Sequence, residues 1–263
     1  MPDYDPMTAY LYGTFVEIAY QMYNSDPNNL TPAVPPNFPK NYQLVLYLDG
    51  VDSIEFESEM KFFGFIAQST RQPSEYVAAI RGTSNIIEWI IDAEFLPTKF
   101  TPIPEAGDVE DGFFSIYKTL TGALPNKQPQ QVHQFIRDNI VNGYLTCVGH
   151  SLGSSIATML ALESKVNDGV SNTTLYTFAS PKTGDGTFAR YFDSHVLDSL
   201  RIYNEPDIVP KLPPLYSQVN TAYEIDSKNF SNIKHSILCY HELTTYLWVI
   251  NQQSEFGLGD CQK

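Results

Sequence analysis

Gly149-His150-Ser151-Leu152-Gly153 joins an apolar strand pattern, Tyr144 to Val148, to a helix-forming stretch, Ser154 to Lys165. A G-x-S-x-G match alone is a weak signal, because short patterns of common residues arise by chance. Its place between a strand and a helix is what constrains the fold. A chain that turns from strand to helix within so few residues leaves no room for side chains at the two glycine positions. The Ser151 hydroxyl is then pushed out above the sheet, with a helix N-terminus behind it. The bland alternative is a glycine-serine turn at the surface.

Hydrophobic periodicity supplies the rest of the frame. Tyr10, Leu11, Thr14, Phe15, Ile18, Ala19 and Met22 recur at helical spacing and predict an opening amphipathic helix. The five prolines from Pro27 to Pro39 predict an extended loop. Gln43–Leu48, Lys61–Gln68 and Tyr76–Ile80 read as strands, rich in aromatic and branched residues. Gly107 to Leu120 leads into a helix. Pro129 to Asn142 reads as another, with proline in its first turn and Gly143 just past its end. Thr174–Phe178 and Leu200–Tyr203 are short strands, Tyr223–Ile225 is a weaker one, and His241 to Asn251 closes the chain as a helix. Strands alternating with helices through the second half predict a mainly parallel sheet covered on both faces. The fold class is therefore α/β, with Ser151 at the nucleophile elbow of an α/β-hydrolase. No linker, repeat or break in composition divides residues 1–263, so one domain is expected.

Composition narrows the partners. Of the residues, 43% are hydrophobic and 17% charged, a globular balance. No apolar run approaches the ~18 residues of a membrane span, so no stable membrane insertion is expected. A net charge of −14 disfavours nucleic acid and anionic membrane surfaces, and it suits neutral substrates. Met1 to Asp5 is acidic and has no basic segment followed by an apolar one, so no signal peptide is visible. Three cysteines cannot build a multi-disulfide scaffold. Cys147 reads as a buried thiol, and Cys239 and Cys261 flank the C-terminal helix, where they are able to pair. No Cys/His cluster has metal-ligand spacing, and neither a metal nor a cofactor is expected.

A serine hydroxyl needs a base to take its proton and an acid to orient that base. In α/β-hydrolases the order along the chain is serine, acid, histidine. Of the five histidines, His133 and His195 come too early and His150 lies inside the elbow, which leaves His235 and His241. Asp207, in Asn204-Glu205-Pro206-Asp207-Ile208-Val209-Pro210, follows the strand Leu200–Tyr203, at the strand end where ligand sites of open α/β sheets gather. The tetrahedral intermediate needs two fixed N–H donors, each worth about 3–4 kcal/mol of barrier. The N–H of Leu152 is one candidate. The other is Thr83 in Arg81-Gly82-Thr83-Ser84, directly after the strand Tyr76–Ile80, where Gly82 allows close backbone approach.

From Tyr76 to Tyr246 the sequence resembles the class 3 lipases, the fungal-type triacylglycerol lipases and their feruloyl esterase relatives. Ala79 to Ser84 is similar to the family's oxyanion strand, Trp89-Ile90-Ile91-Asp92 to its W-x-x-D continuation, and Val109 to Phe113 to its segment ending in Gly-Phe. Thr177 to Asp185 is similar to T-F-G-x-P-R-x-G followed by Asn or Asp. Asp207 to Pro210 resembles D-x-V-P, and His241 to Leu247 resembles the C-terminal H-x-L-x-x-Y. The resemblance implies a triad of Ser151, Asp207 and His241, with His241 preferred over His235. It further implies a short lid helix over 85–91, whose apolar face is Ile86, Trp89 and Ile90. Exposing such a face costs roughly 1.5–3 kcal/mol per large side chain in water, and this cost disappears against fat. An amphipathic turn fixed on the core is the competing reading of that segment. The implied activity is hydrolysis of a carboxylic ester, foremost a triacylglycerol, through an acyl-enzyme at an oil–water interface. A feruloyl or small-ester esterase is the second reading, and a lipase-like binding module that hydrolyses nothing is the third. Family members favour secretion. Two departures stand out. Ala179 replaces a usual glycine, and no cysteine precedes Cys147, so the fungal tie between tail and N-terminal region cannot form.

Overall fold

The structure, a computed structural model, describes residues 4–51, 59–83, 94–124, 128–219 and 221–263. The expected lid over 85–91, with Ile86, Trp89 and Ile90, lies outside the described residues, as does Asp92.

Helix α1 spans Pro6–Ser25. Asp5 caps it by accepting the Thr8 N–H at 2.9 Å, and Pro6 fills the first turn, where a missing N–H does no harm. Its buried face carries Phe15, Val16, Ile18, Ala19 and Met22, while Leu11 turns outward. An extended loop, rich in proline, then leads to strands β1 (Tyr42–Val51), β2 (Met60–Ser69) and β3 (Glu75–Ile80). A small ribbon of β4 (Pro97–Lys99) and β5 (Asp108–Glu110) precedes helix α2 (Asp111–Tyr117). Short strands β6 (Thr121–Ala123) and β7 (Gln130–Gln131) come next, followed by helix α3 (Val132–Asn139). The second half alternates: β8 (Tyr144–His150), α4 (Leu152–Val166), β9 (Asn172–Phe178), α5 (Gly186–His195), β10 (Asp198–Asn204) and β11 (Thr221–Ile225). Two short helices, α6 (Ile237–His241) and α7 (Leu243–Ile250), end the helical part.

The central sheet has nine strands in the order β11-β10-β9-β8-β3-β2-β1-β6-β7. Strands β3 and β8 to β11 run parallel. The block from β3 through β2, β1 and β6 to β7 is antiparallel. Alternate side chains feed two cores. Leu145 and Cys147 of β8 join Phe113, Phe135, Ile156 and Phe188 under α2, α3, α4 and α5. Val148 points the other way and joins Phe15, Ile18, Tyr246 and Leu247 under α1 and α7. Helices thus cover both faces, the α/β-hydrolase architecture.

Two expected elements differ. Residues 129–142 do not form one helix, because Gln130 and Gln131 pair with β6 at the sheet edge before α3 begins. The closing helix is interrupted at Glu242, whose backbone is extended at φ −57° and ψ 131°. A continuous helix would give the His241 carbonyl to the Thr245 N–H. Here that carbonyl accepts from His150 Nε2 at 2.8 Å, and the Thr245 N–H turns to the Glu242 carbonyl. His241 therefore ends a helix rather than opening one. Cys239 and Cys261 are disulfide-bonded with Cα atoms 5.4 Å apart, which fastens the tail to the segment that carries His241. Among the described residues, no helix is long and apolar enough to cross a membrane, and no group of three His, Cys, Asp or Glu residues is arranged to hold a metal.

Candidate active site

Strand β8 stops at His150 and α4 starts at Leu152, so Ser151 alone makes the turn, at φ 56° and ψ −129°. A non-glycine residue held in such a conformation costs on the order of 1–3 kcal/mol, which the surroundings must offset. They do so by close contact. A Cβ on Gly149 would lie 2.3 Å from the Gly153 carbonyl oxygen, and one on Gly153 would lie 2.4 Å from the carbonyls of Ile80 and Arg81. Both glycines are required by the crossing of strand, turn and helix. The Ser151 N–H is anchored on the Phe178 carbonyl at 2.9 Å.

The structure brings three of the expected residues together. His241 Nε2 lies 2.8 Å from Ser151 Oγ, and its Nδ1 lies 2.9 Å from Asp207 Oδ2. All three are buried. With a carboxylate at Nδ1, that nitrogen carries the proton and Nε2 is left to accept from the serine hydroxyl. Asp207 sits just beyond β10. Its Oδ1 accepts the Val209 N–H at 3.0 Å, and its Oδ2 also accepts the Tyr246 hydroxyl at 2.8 Å. His235 is exposed and lies beside Tyr240, away from Ser151.

Tyr246 has no role assigned from the sequence. Its hydroxyl accepts the Asn204 N–H at 2.9 Å while donating to Asp207 Oδ2, the same oxygen that meets His241, so it braces the acid beside the base. Burial, with the Asp207 charge adding, holds this phenol well above its ordinary value. It therefore donates its proton at any physiological pH. The available signal was a tyrosine at fixed distance from the candidate base, since a buried tyrosine hydroxyl needs a partner.

A second network supports the other side. Gly82 has no room for a Cβ, which would stand 2.6 Å from the Tyr20 hydroxyl and 3.0 Å from Ser151 Cβ. The Tyr20 hydroxyl accepts the Gly82 N–H at 2.8 Å and bonds His150 Nδ1 at 2.8 Å. His150 Nε2 then meets the His241 carbonyl. Burial, with His241 adding, pushes His150 well below the usual histidine value, so it stays neutral and accepts at Nδ1 while donating at Nε2. Arg81 is buried beneath, bonding the carbonyls of Phe62 at 2.8 Å and Gly82 at 2.6 Å, with its guanidinium 3.5 Å above the Tyr23 ring. These contacts hold the Arg81-Gly82-Thr83 segment against the elbow. Thr83 is buried at its end, and Leu152 is the first residue of α4, where N–H groups lack intrahelical partners. A cavity of about 270 Å³ opens beside them, lined by Thr83 and His241 and also by Glu17, Tyr20 and Glu242.

Comparison with known proteins places the chain in a family. The family described as Lipase (class 3) matches residues 77–217. Phospholipase A1-II 4 of Oryza sativa subsp. japonica is 30% identical over 217 residues, covering 69% of this chain and 54% of that protein. A lipase of Rhizomucor miehei is 33% identical over 206 residues, covering 74% of this chain and 55% of the relative. The chain spans about half the length of the curated relatives it matches. The structure of a Rhizomucor miehei lipase propeptide complex superposes with a TM-score of 0.65 at 21% identity, over 96% of this chain and 79% of that one. At that identity the likeness concerns the fold.

Proposed function

The chain belongs to the class 3 lipase family, and on that footing we propose that it is a serine-dependent hydrolase of lipid carboxylic esters, acting first on triacylglycerols. The observation that carries this reading is the hydrogen-bonded line from Ser151 through His241 to Asp207 at a strained elbow. His241 Nε2 takes the serine proton as Oγ attacks the ester carbonyl. Asp207, braced by Tyr246, holds the imidazole in the required tautomer and stabilises the cation that forms. The oxygen of the tetrahedral intermediate turns toward the N–H groups of Thr83 and Leu152 at the helix N-terminus. His241 returns the proton to the departing alcohol, which leaves an acyl group on Ser151. Water then repeats the sequence and releases the acid.

A second reading, hydrolysis of a phospholipid acyl ester, is favoured by the rice relative named phospholipase A1. A fluorophosphonate probe and an ester panel test both. Labelling should occur in the wild type and be lost in Ser151→Ala. Hydrolysis of tributyrin but not of a short-chain phosphatidylcholine favours the first reading, and the reverse favours the second. Absence of labelling together with absence of ester hydrolysis overturns both.

A further inference from the structure

The cavity beside the site carries a charge pattern that ester hydrolysis does not require. Its wall on the α1 side includes Glu17 and Tyr20, and its wall beyond the base includes Glu242. Among the described residues neither carboxylate has an ion-pair partner. Gln21 Nε2 reaches Glu17 only at 3.4 Å. Burial pushes Glu17 up to about 7, and the Glu242 carboxylate adds to this. Glu242 is raised as well, by burial first, with His241 opposing and Asp260 adding. The Glu242 charge is therefore felt at Glu17, and both carboxylates line the same cavity. The cationic group facing it, Arg81, is turned onto the carbonyls of Phe62 and Gly82 and the Tyr23 ring. His150 is held neutral there.

Position in the reaction says what this compartment meets. The departing alcohol takes its proton from His241 Nε2, so the remainder of that alcohol lies on the base's side of the tetrahedral carbon. The cavity extends from His241 along Glu242 to α1. Its volume of about 270 Å³ exceeds the ~150 Å³ of a cavity that holds benzene. We infer that this cavity is the leaving-group compartment, and that Glu17 and Glu242 make it select alcohols bearing a substituted ammonium group over neutral or anionic ones. A cation there supplies the missing counter-charge to both acids and lies against the Tyr20 ring, an arrangement suited to quaternary ammonium. The inference rests on the proposed hydrolase reading and names the substrate class for it.

Soluble esters of one acid separate charge from size. Butyrylcholine and 3,3-dimethylbutyl butyrate have nearly the same shape and differ by one positive charge, and 2-sulfoethyl butyrate carries a negative one. At pH 8, above the raised Glu17 value, the expected kcat/KM for butyrylcholine is about tenfold above the neutral isostere, as two partly exposed carboxylates allow. The sulfonate should be the slowest, and the spread should shrink in high salt. In the Glu17→Gln, Glu242→Gln double variant the choline-to-isostere ratio should fall toward one. Melting curves check that this variant is folded. Binding of tetramethylammonium, followed by calorimetry, should weaken in the same variant without reference to turnover. A dioctanoyl phosphatidylcholine and phosphatidylglycerol pair identifies the source. A preference for the choline lipid makes the cation a lipid headgroup, and equal rates there with a preserved ratio on the small esters make it a simple aminoalcohol. A wild-type ratio near one, or a ratio that the double variant leaves unchanged, overturns the inference while the hydrolase reading stands. Failure to hydrolyse any of these esters or glycerides overturns that reading, and the inference with it.

Discussion

His241 meets Asp207 through Nδ1 at 2.9 Å, and His133 meets Asp168 through Nδ1 at 2.5 Å. The aspartate side chain is fully buried in both pairs. What differs is the second nitrogen. His241 Nε2 faces Ser151 Oγ at a strained turn beside a cavity. His133 Nε2 faces the Tyr117 hydroxyl at 2.9 Å and the Glu163 carboxylate at 3.3 Å. Tyr117 already donates to Glu163 at 2.7 Å, and Arg137 completes the cluster on Asp168 at 2.8 Å. Burial, with Glu163 adding, raises that phenol well above its ordinary value, so it is no nucleophile. The second cluster ties α2 and α3 to the end of α4 and the loop after it. A histidine–aspartate pair thus becomes an acid–base device only where the free nitrogen is aimed at a hydroxyl with room for a substrate.

The two pairs separate most sharply in kinetics. Ser151→Ala, His241→Ala and Asp207→Ala should each lower kcat by about three orders of magnitude or more, and combining them should add little because they act as a unit. If His133→Ala abolished ester hydrolysis in folded protein while His241→Ala did not, the assignment of the two pairs would be inverted. The counterpart is a stability effect. His133→Ala removes one partner from a buried polar cluster and should lower the unfolding free energy by about 1–3 kcal/mol in denaturant titrations, with kcat nearly unchanged.

Tyr246→Phe sharpens the same contrast, since it deletes one donor to Asp207 and keeps the ring. A loss of about tenfold in kcat with little change in KM is expected, because the acid is then held by fewer donors. A change in KM alone would remove Tyr246 from the positioning of the base.

His150 supplies a pH signature. Its native value is depressed, so the unfolded chain binds a proton that the native protein refuses as pH falls below about 6.5. Stability from this residue is full above that point and declines below it, toward its lowered native value. Melting temperatures from pH 7.5 to 5 should therefore fall, and His150→Gln should flatten part of that slope. An identical slope in the variant would assign the acid sensitivity elsewhere. The smallest effect belongs to Ala179, which holds a left-handed φ of 52° where the family usually has glycine. Ala179→Gly should stabilise by about 0.5 kcal/mol, the relief of strain partly offset by chain entropy. A lower melting temperature would refute it.

Much of this was legible in the chain because it is local. The elbow shows itself through two glycines that no other residue replaces, and the strands through short runs of aromatic and branched residues between turn signals. Asp207 is marked by its place just after a strand. Chain order reduced the base to His235 or His241, and only the H-x-L-x-x-Y resemblance separated them. Burial and direction are tertiary properties, so the exposed His235 and the buried His241 look alike as letters.

Local sequence sets the α/β frame, the position of Ser151 and the short set of residues able to serve it, because backbone sterics and side-chain periodicity act over a few residues. The interruption at Glu242 comes from packing, since it arises when His150 takes a carbonyl from ninety-one residues away. The same holds for Tyr246 and Tyr20, whose hydroxyls matter through partners in loops that follow distant strands. It holds also for Glu17 and Glu242, two acids that become one feature only when α1 and the C-terminal segment enclose the same cavity. Hydrogen bonds and charges act through space at a few ångströms, and that proximity is created by packing.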